Sequence, residues 1–507
     1  MIRYLDCRAE QKKSRKMDFD VETGEEKIPS LNFGLSVPLV LDMDGALLAT
    51  DTLHEAVVCF IRRRGLAVFK APSWLMRGRG YFKTQILSSL TAEDIAYLPS
   101  VAEVVAFAER EASLGRRVVL TTAADRAIAE RVAAHYPFVA EIIASDEGGG
   151  LKGADKASLL AKRFPEGFVY AGDSSVDPAI WKAAVGTIVV GPTAGPKAAL
   201  PQNGQWLHTA TGRGGLLAVL RRSLRLHQWV KNGLVFVPLI LSGQLFDPWD
   251  WLRVLIGFIA IGLLASATYV LNDLWDLSED RQHWSKRNRP LASGRLSIIG
   301  GVTLIASCGL GSLAAGLALG PAVVGVLSLY LVISLAYSFR FKREPIIDVF
   351  LLATMFSLRL ALGIAITHAK PSPWLIVFSM FTFLSLSLAK RLTEIKRMAE
   401  HGLERTLGRG YEAADAPLVL ALGVGSTLAT VLIMVLYLID DAFPAGVYHR
   451  PDFLWGFPIV IFLFLSRIWL VCHRGDLHDD PVAYALKDKV SLFYGATMTA
   501  LFVAAMV

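Results

Sequence analysis

Long apolar runs occupy only the later part of this 507-residue chain. They lie at about 233–248, 252–273, 298–316, 321–339, 346–366, 372–389, 416–438, 453–472 and 489–507. Each run approaches the ~20 residues that an α-helix needs to cross a bilayer. The pattern predicts an all-α polytopic membrane bundle of about nine helices, which forms a domain over residues 223–507.

Shorter apolar runs alternate with amphipathic segments in the earlier part of the chain. The runs VPLVLD, RRVVLTT, EIIAS, GFVYAGD and TIVVG have the length and composition of strands. Strands that alternate with helices predict an α/β fold, here a doubly wound parallel sheet over residues 37–200. We also predict a helical cap at about 54–98, a basic disordered tail over 1–36 and a Gly- and Pro-rich linker over 201–222.

Hydrophobic residues make up 53% of the chain, which agrees with a membrane protein. In such a protein the net charge of +7 reflects positively charged loops on one side of the membrane. Lys and Arg concentrate in alternate loops such as RQHWSKRNR and RFKRE, whereas SGQLFDPWD has none. The positive-inside rule therefore predicts a multi-pass protein of the bacterial inner membrane, with its N-terminal domain and polar sites in the cytoplasm. No aromatic–basic pattern points to nucleic acid, and four scattered cysteines predict neither disulfides nor a zinc site.

Acidic residues recur at helical spacing where the second apolar run ends, in NDLWDLSEDRQHWSKRNRPLASG (272–294). On a helix they share one face, and oxygen ligands of this kind suit Mg²⁺ that is shared with phosphate oxygens. The predicted metal ligands are Asn272, Asp273, Asp276 and Asp280, of which Asp276 and Asp280 are also predicted to be catalytic. The cations that follow are predicted to bind phosphate: Arg281, Lys286 and Arg289. A solvated charged loop is the structural alternative.

Further polar residues lie within or beside the apolar runs, where charge is a functional hypothesis by default. Those predicted to bind phosphate are Lys231, Lys342, Arg359, Lys390 and Arg391. Those predicted to bind substrate are Gln228, Asn232, Tyr337, Asp348 and Glu394. Two alternatives to these binding roles stay open. Lys231 would be a snorkelling anchor at the membrane surface, and Lys390 and Glu394 would form an i,i+4 salt bridge.

Polar residues also follow the predicted strand ends, in DMDGALL, VVLTTA, a lysine-bearing helix and GDSSVD. Together and in this order, these motifs resemble the haloacid dehalogenase superfamily of phosphatases over about 37–200. The resemblance implies Asp42 as the nucleophile that forms an aspartyl-phosphate, Asp44 as the general acid/base, and Thr122 and Lys156 as phosphate-binding groups. It implies a Mg²⁺ site with the ligands Asp42, Asp44, Asp173 and Asp177. The alternative is a catalytically inactive regulatory domain.

The basic segment MRGRGYFK (76–83) belongs to the predicted cap. Its cations would attract an anionic substrate or anionic lipid headgroups. A solvated helix face is the alternative.

The NDxxDxxxD pattern resembles the UbiA superfamily of intramembrane prenyltransferases, over about 222–507. HQWVKN, YSFRFKREPIID and AKRLTE narrow the resemblance to decaprenyl-phosphate phosphoribosyltransferases, because KRLTE stands where ordinary members have a second aspartate-rich motif. That resemblance implies Mg²⁺-dependent transfer of a 5-phosphoribosyl group from phosphoribosyl diphosphate to a polyprenyl phosphate in the lipid bilayer. The fused phosphatase would then dephosphorylate the phosphoribosyl-lipid product.

Two other functions are kept as alternatives. An aromatic or quinone-pathway prenyltransferase, with an attached phosphatase of other substrate, would use a prenyl diphosphate donor. A transporter or membrane receptor would need neither Asp42 nor Asp276 for its activity.

Overall fold

The computed structural model describes residues 31, 33–145, 153–173, 178–190, 205–210, 215–242, 247–283, 285–400, 409–477 and 480–507. The chain divides into two compact units. Unit 1 comprises Met1–Gly215, Arg281–Asn288 and Ala292–Arg295, and unit 2 comprises Leu216–Asp280, Arg289–Leu291 and Leu296–Val507. Residues 1–30 and 32 of the predicted tail lie outside the described residues.

The strands are β1 Leu39–Asp42, β2 Val118–Asp125, β3 Glu141–Ser145, β4 Val169–Gly172, β5 Gly186–Val190 and β6 Gln205–Ala210. The first eight α-helices are α1 Thr52–Arg64, α2 Ala71–Met76, α3 Arg79–Leu87, α4 Ala92–Ala96, α5 Ala102–Ser113, α6 Arg126–Ala133, α7 Gly153–Arg163 and α8 Pro178–Ala183. The others are α9 Leu216–Ser223, α10 Val237–Leu241, α11 Pro248–Trp275, α12 Leu277–Gln282, α13 Ile298–Leu319, α14 Pro321–Phe339, α15 Ile347–Thr367, α16 Pro373–Glu400, α17 Ala416–Tyr437, α18 Gly456–Arg474, α19 Pro481–Ala485 and α20 Lys489–Met506.

Unit 1 is built on a six-stranded sheet in the order β3-β2-β1-β4-β5-β6. All five strand pairs are parallel, so the predicted parallel sheet is confirmed. The strand order changes direction at β1, which lies between β2 and β4. In open α/β sheets, ligands bind at the carboxyl ends of the strands at such a point. Strand β6 lies inside the segment predicted as a linker.

Both faces of this sheet carry apolar residues. Leu39 and Leu41 of β1 belong to a core cluster with Phe107 of α5. Val40, between them, belongs to a second cluster with Trp181 of α8. Alternate residues of a strand point to opposite faces, so two separate cores stabilise the sheet. Its assignment to a doubly wound, haloacid dehalogenase-like fold stays a prediction that this packing supports.

Eight helical segments of unit 2 are long and apolar enough to cross a membrane. They are Pro248–Trp275, Ile298–Leu319, Pro321–Phe339, Ile347–Thr367, Pro373–Glu400, Ala413–Ala442, Pro451–Arg474 and Lys489–Met506. The predicted number of about nine is therefore corrected to eight among the described residues.

The missing span is the first apolar run, predicted at 233–248. It forms an 11-residue 3-10 helix, Leu226–Phe236, followed by the five-residue α10. Pro238 lies in the first turn of α10 and has no amide hydrogen for a continuous helix. The segment Leu226–Leu241 instead packs against α15 and α11.

Candidate functional site

The acidic stretch 272–280 is not one continuous helix. Helix α11 ends at Trp275, and Asp276 has a non-helical backbone (φ −92°, ψ 13°) before α12 begins. The amide of Asp276 still donates to the Asn272 carbonyl oxygen at 2.9 Å, and the amide of Asp280 donates to the Asp276 carbonyl oxygen at 2.8 Å. The predicted helical spacing therefore survives a local break at the central aspartate.

Two of these carboxylates converge on one arginine. Nη1 of Arg289 lies 2.8 Å from Oδ1 of Asp273 and 2.6 Å from Oδ2 of Asp280. Asp273 also accepts from Nη2 of Arg225 at 2.6 Å. The side chains of Asp273 and Asp280 are 7% and 2% exposed, and buried carboxylates require such neutralising partners.

The third carboxylate has its own cation. Nζ of Lys342 lies 2.7 Å from Oδ1 and 2.6 Å from Oδ2 of Asp276. The side-chain nitrogen of Asn272, Nδ2, donates to Oδ2 of Asp276 at 3.1 Å. Arg225, Arg289 and Lys342 thus form with the aspartates a first ionic cluster, which we call the aspartate cluster.

The aspartate cluster was predicted to be a metal site. In the part of the chain that the structure describes, no three Asp, Glu, His or Cys side chains are grouped so as to hold a metal ion. The oxygen atoms of Asp273 and Asp280 lie close together all the same, because both are within hydrogen-bond distance of one Arg289 nitrogen. Oxygen-only donors of this type fit Mg²⁺.

A second ionic cluster joins the segment Leu226–Leu241 to α16. Nζ of Lys231 and Nζ of Lys390 lie 3.0 Å and 3.3 Å from the same atom, Oδ2 of Asp480. Burial raises the pKa of the Asp480 carboxyl, but Lys390 and Lys231 outweigh it and lower that pKa to about 2. We call these three residues the lysine cluster, in which one carboxylate holds two cations together.

A buried arginine connects the same segment to α15. Nε of Arg359 donates to Oδ1 of Asn232 at 2.8 Å, and Nη1 and Nη2 donate to the carbonyl oxygen of Met355 at 2.6 Å and to the hydroxyl of Tyr330 at 3.2 Å. Arg359 is 4% exposed and Asn232 is 1% exposed. This network fixes the position of the residue next to Lys231.

The predicted residues of α14–α16 form a further buried network. Arg391 donates to Oδ2 of Asp348 at 2.6 Å and to Glu394, and it lies 3.5 Å from the hydroxyl of Tyr337. Asp348 is fully buried and also accepts from Tyr411 at 2.7 Å. Glu394 therefore pairs with Arg391, while Lys390 pairs with Asp480.

Three predicted residues lie apart from these clusters. Arg281 belongs to unit 1, where its guanidinium is 2.6 Å and 2.9 Å from the carboxylate oxygens of Glu55. Lys286 is half-buried, and its amide donates to Nδ1 of His283 at 3.4 Å. Gln228 is half-buried, and its amide donates to the carbonyl oxygen of Arg225 at 2.7 Å.

Unit 1 brings together Asp42 and Lys156, as the strand-end prediction expected. Nζ of Lys156 lies 3.0 Å from Oδ1 of Asp42. The hydroxyl of Tyr170, on β4, donates to Oδ2 of Asp42 at 3.2 Å and accepts from Lys156 at 3.0 Å. Lys156 is 4% exposed, so a buried cation and a phenol hold both oxygens of the candidate nucleophile.

Of the other predicted residues of unit 1, Asp44 lies in the turn that follows β1 and Thr122 lies within β2. Asp44 accepts from the amide of Thr52 at 2.9 Å, and burial raises the pKa of its carboxyl to about 7, with further contributions from Asp51 and Asp42. Thr122 is 1% exposed and accepts from the amide of Ala124 at 3.0 Å.

Asp173 lies against the loop that follows β1, because a Cβ added to Gly45 would be 2.1 Å from Oδ2 of Asp173. Gly45 also has a positive φ of 84°, so a side chain there is disfavoured twice. Asp177 lies outside the described residues.

Comparison with known proteins decides the family of unit 2. The family model described as "UbiA prenyltransferase family" matches residues 234–494, more than half of the chain. This chain belongs to the UbiA prenyltransferase family. Together with the eight apolar helices, this membership makes it an integral membrane protein.

The chain is similar to the following two relatives and one solved structure. The uncharacterized protein y4nM of Sinorhizobium fredii is 38% identical over 488 residues, which cover 95% of this chain and 94% of that protein. Decaprenyl-phosphate phosphoribosyltransferase of Mycobacterium tuberculosis is 28% identical over 283 residues, 54% of this chain and 90% of that protein. A UbiA homolog from Archaeoglobus fulgidus bound to GPP and Mg²⁺ is 16% identical, covers 57% of this chain and 98% of that chain, and has a TM-score of 0.44.

Sequence reasoning missed several residues of these clusters. In unit 2, which we call the UbiA domain from here on, Arg225 has a left-handed backbone (φ 50°) just before the Leu226–Phe236 helix. Asp480 of the same domain caps the first turn of α19. An Asp–Pro pair in the loop after α18 was the available signal for Asp480. In unit 1, Tyr170 was missed because strand patterning assigns a tyrosine to the core.

Proposed function

We propose that the UbiA domain transfers a 5-phosphoribosyl group from phosphoribosyl diphosphate to a polyprenyl phosphate. The observation that carries this proposal is the presence of two separate groups of cations, one in the aspartate cluster and one in the lysine cluster. A donor diphosphate and an acceptor phosphate each need neutralising cations. The Mycobacterium tuberculosis relative is named decaprenyl-phosphate phosphoribosyltransferase, which supports the same transferred group and the same class of acceptor.

The aspartate cluster is the proposed donor site. Lys342, Arg289 and Arg225 now neutralise carboxylates, and their charges suit the oxygens of a diphosphate equally well. The residues that would hold Mg²⁺ are Asn272, Asp273, Asp276 and Asp280. When bound, Mg²⁺ would add positive charge beside the departing diphosphate. The cations of this chain supply the rest of that stabilisation and hold the donor in place.

The lysine cluster is the proposed acceptor site. Lys231 and Lys390 are kept close together by Asp480 at 3.0 Å and 3.3 Å, so a phosphate monoester can replace the carboxylate between them. The bond from C1 of the ribose to the diphosphate oxygen breaks, and its electron pair leaves with the diphosphate. An acceptor phosphate oxygen forms the new bond to C1. An ionised phosphate is already a nucleophile, so the step needs no general base.

A second candidate function is prenyl transfer to an aromatic or quinone-pathway acceptor. The family description favours prenyl transfer and names no acceptor. The KRLTE segment argues against it, because Lys390 and Arg391 stand where a second set of metal-binding carboxylates would be expected. A neutral aromatic acceptor would also leave the two lysines without a phosphate to bind.

Product analysis separates the two functions. Purified full-length protein in lipid nanodiscs is given Mg²⁺ and either phosphoribosyl diphosphate with polyprenyl phosphate or prenyl diphosphate with 4-hydroxybenzoate. We expect a phosphoribosyl-lipid, or its dephosphorylated form, by mass spectrometry only with the first pair. Product from the second pair alone would overturn the proposal.

We infer that unit 1 is a phosphatase for that product. Asp42 carries this inference, since Lys156 at 3.0 Å can neutralise a phosphoryl group on it. Tyr170 at 3.2 Å can hold its second oxygen. Asp44 lies two residues further on, with a raised pKa suited to a general acid. Asp42, Asp44, Asp173 and Asp177 would hold Mg²⁺ there. The basic loops next to both sites predict that both face the cytoplasm.

The test compares Asp42→Asn with Asp125→Asn, a matched change at the cap of α6 in the same unit. We expect the lipid product of Asp42→Asn to keep its phosphate, whereas Asp125→Asn gives the wild-type product. Identical product masses for Asp42→Asn and wild type would refute the phosphatase role and leave the transferase proposal intact.

A further inference from the structure

An exposed apolar surface in unit 1 has no role in either proposed reaction. Phe69 is 82% exposed, Leu75 is 51% exposed and Met76 is 90% exposed. They lie in the short 3-10 helix Gly65–Lys70 and in α2. Trp74 secures α2, because its ring meets the Phe60 ring of α1 edge-on at 5.4 Å. A folded soluble domain rarely leaves several large apolar side chains this exposed in one short segment.

The same segment is strongly basic. Between Glu55 and Glu93 the chain has no acidic residue. Its seven cations are Arg62, Arg63, Arg64, Lys70, Arg77, Arg79 and Lys83. Arg77 lies over the ring of Tyr81, with Cζ 5.5 Å from its centroid, so a cation and an exposed aromatic ring are neighbours. A solvated helix face normally mixes both signs of charge, whereas this one carries positive charge beside apolar side chains.

We propose that Phe69, Leu75, Met76, Lys70 and Arg77, which we call the cap surface, bind the surface of a bilayer that contains anionic lipids. Apolar side chains flanked by Lys and Arg are the composition that binds at a membrane interface. The cations meet the headgroups and the apolar side chains enter the boundary of the acyl chains. The bilayer is always available, because eight helices among the described residues of the same chain are long and apolar enough to cross it. The cap surface is therefore tethered near the bilayer at a high effective concentration.

Binding of the cap surface to a bilayer does not depend on either proposed reaction. It would, however, affect how a lipid-linked substrate reaches the proposed phosphatase site of unit 1. A substrate with a polyprenyl tail stays in the bilayer, so only its headgroup can reach a soluble site. A cap that lies on the headgroups brings the catalytic edge of the sheet to a lipid-linked substrate without extracting its tail. A basic cap alone would serve a soluble anionic substrate, and the exposed apolar residues distinguish the two cases.

The experiment uses the full-length protein with Cys7 and Cys59 replaced by serine, while the buried Cys308 and Cys472 are kept. Met76→Cys carries an environment-sensitive fluorophore. Leu114→Cys is the matched control, since Leu114 is an apolar residue of the same unit and is 56% exposed. Both proteins are placed in nanodiscs of phosphatidylcholine with and without phosphatidylglycerol, and a water-soluble quencher is added.

We expect a blue-shifted, quencher-protected label at position 76 only when phosphatidylglycerol is present, and an accessible label at position 114 throughout. Adding Lys70→Glu and Arg77→Glu should lower the bound-to-free ratio of the cap by about tenfold or more. A label at 76 that is as accessible as that at 114 in anionic nanodiscs would show a solvated face. Protection that is equal in both lipids and in detergent would show a protein contact, and either result overturns the proposal.

Discussion

Gly363 of α15 marks a close approach of the Leu226–Leu241 segment to an apolar helix. A Cβ at this position would lie 2.2 Å from the carbonyl oxygen of Val235 and 2.9 Å from Cδ and Cγ of Pro238. Ordinary contacts need roughly 3.5 Å, so Gly363→Ala must push the segment back by about 1 Å. The obstacles are a backbone carbonyl and a proline ring, which cannot rotate away as a flexible side chain can.

The loss in free energy of unfolding for Gly363→Ala follows from the contacts that this movement disrupts. Arg359 lies one helical turn before Gly363, and its bond to Asn232 is 2.8 Å long. A shift of about 1 Å takes it beyond hydrogen-bond range. Overpacking and the loss of a charged hydrogen bond together cost about 3–6 kcal/mol. With an unfolding entropy of about 2.1 cal/mol/K per residue, a chain of 507 residues would lose roughly 3–6 °C in Tm.

The assay is thermal unfolding of the full-length protein in detergent, with transfer kinetics measured below the transition. The matched control is Gly325→Ala in α14, where a Cβ meets nothing within 4 Å. We expect Gly325→Ala to leave Tm unchanged or slightly raised, because alanine favours helix. We expect Gly363→Ala also to raise the KM for polyprenyl phosphate, since Lys231 lies on the displaced segment. Equal Tm values for the two variants would refute the packing argument.

Three shorter predictions concern other contacts. Gly423→Ala should lower Tm by roughly 1–3 °C in the same assay, because its Cβ would lie 2.0 Å from an indole carbon of Trp469. Gly425→Ala should leave Tm unchanged, because a Cβ there meets nothing within 4 Å. Asp480→Asn should lower the free energy of unfolding by about 2 kcal/mol near neutral pH, measured by urea titration. The difference in this free energy between wild type and variant should be constant above about pH 4 and should narrow as the pH falls towards the folded pKa of about 2. A gap that widens on acidification would contradict the sign. Lys342→Met should lower kcat/KM for phosphoribosyl diphosphate by about 10- to 100-fold, whereas exposed Lys370→Met should not change it; equal kinetics for both would remove Lys342 from the donor site.

Local patterns were enough to predict the individual elements. Eight of the nine predicted apolar runs correspond to the long helices of unit 2, and five predicted strands correspond to β1–β5. These predictions succeed because membrane span length and strand alternation are properties of consecutive residues. The membrane span predicted at 233–248 is wrong because the hydropathy of a run does not register a proline that interrupts the helix, here Pro238.

Ionic partners are a different matter, because they come from residues far apart in the chain. The sequence indicates that Lys231, Lys390 and Asp276 are polar groups in apolar surroundings, which need partners. It does not indicate that Lys231 and Lys390 share Asp480, whose sequence separations from them are 249 and 90 residues. The same holds for Tyr170, which lies 128 residues from Asp42.

The aspartate-rich stretch shows both sides of this division. Its residue types and spacing alone determine a dense set of oxygen donors at the end of a hydrophobic helix. Only the tertiary structure decides that Asp273 and Asp280 meet on Arg289, while Asp276 turns at a break in the helix to meet Lys342. The physical reason is that a buried carboxylate takes whichever cation the packing of other helices brings within about 3 Å, and that packing is not encoded in any one segment.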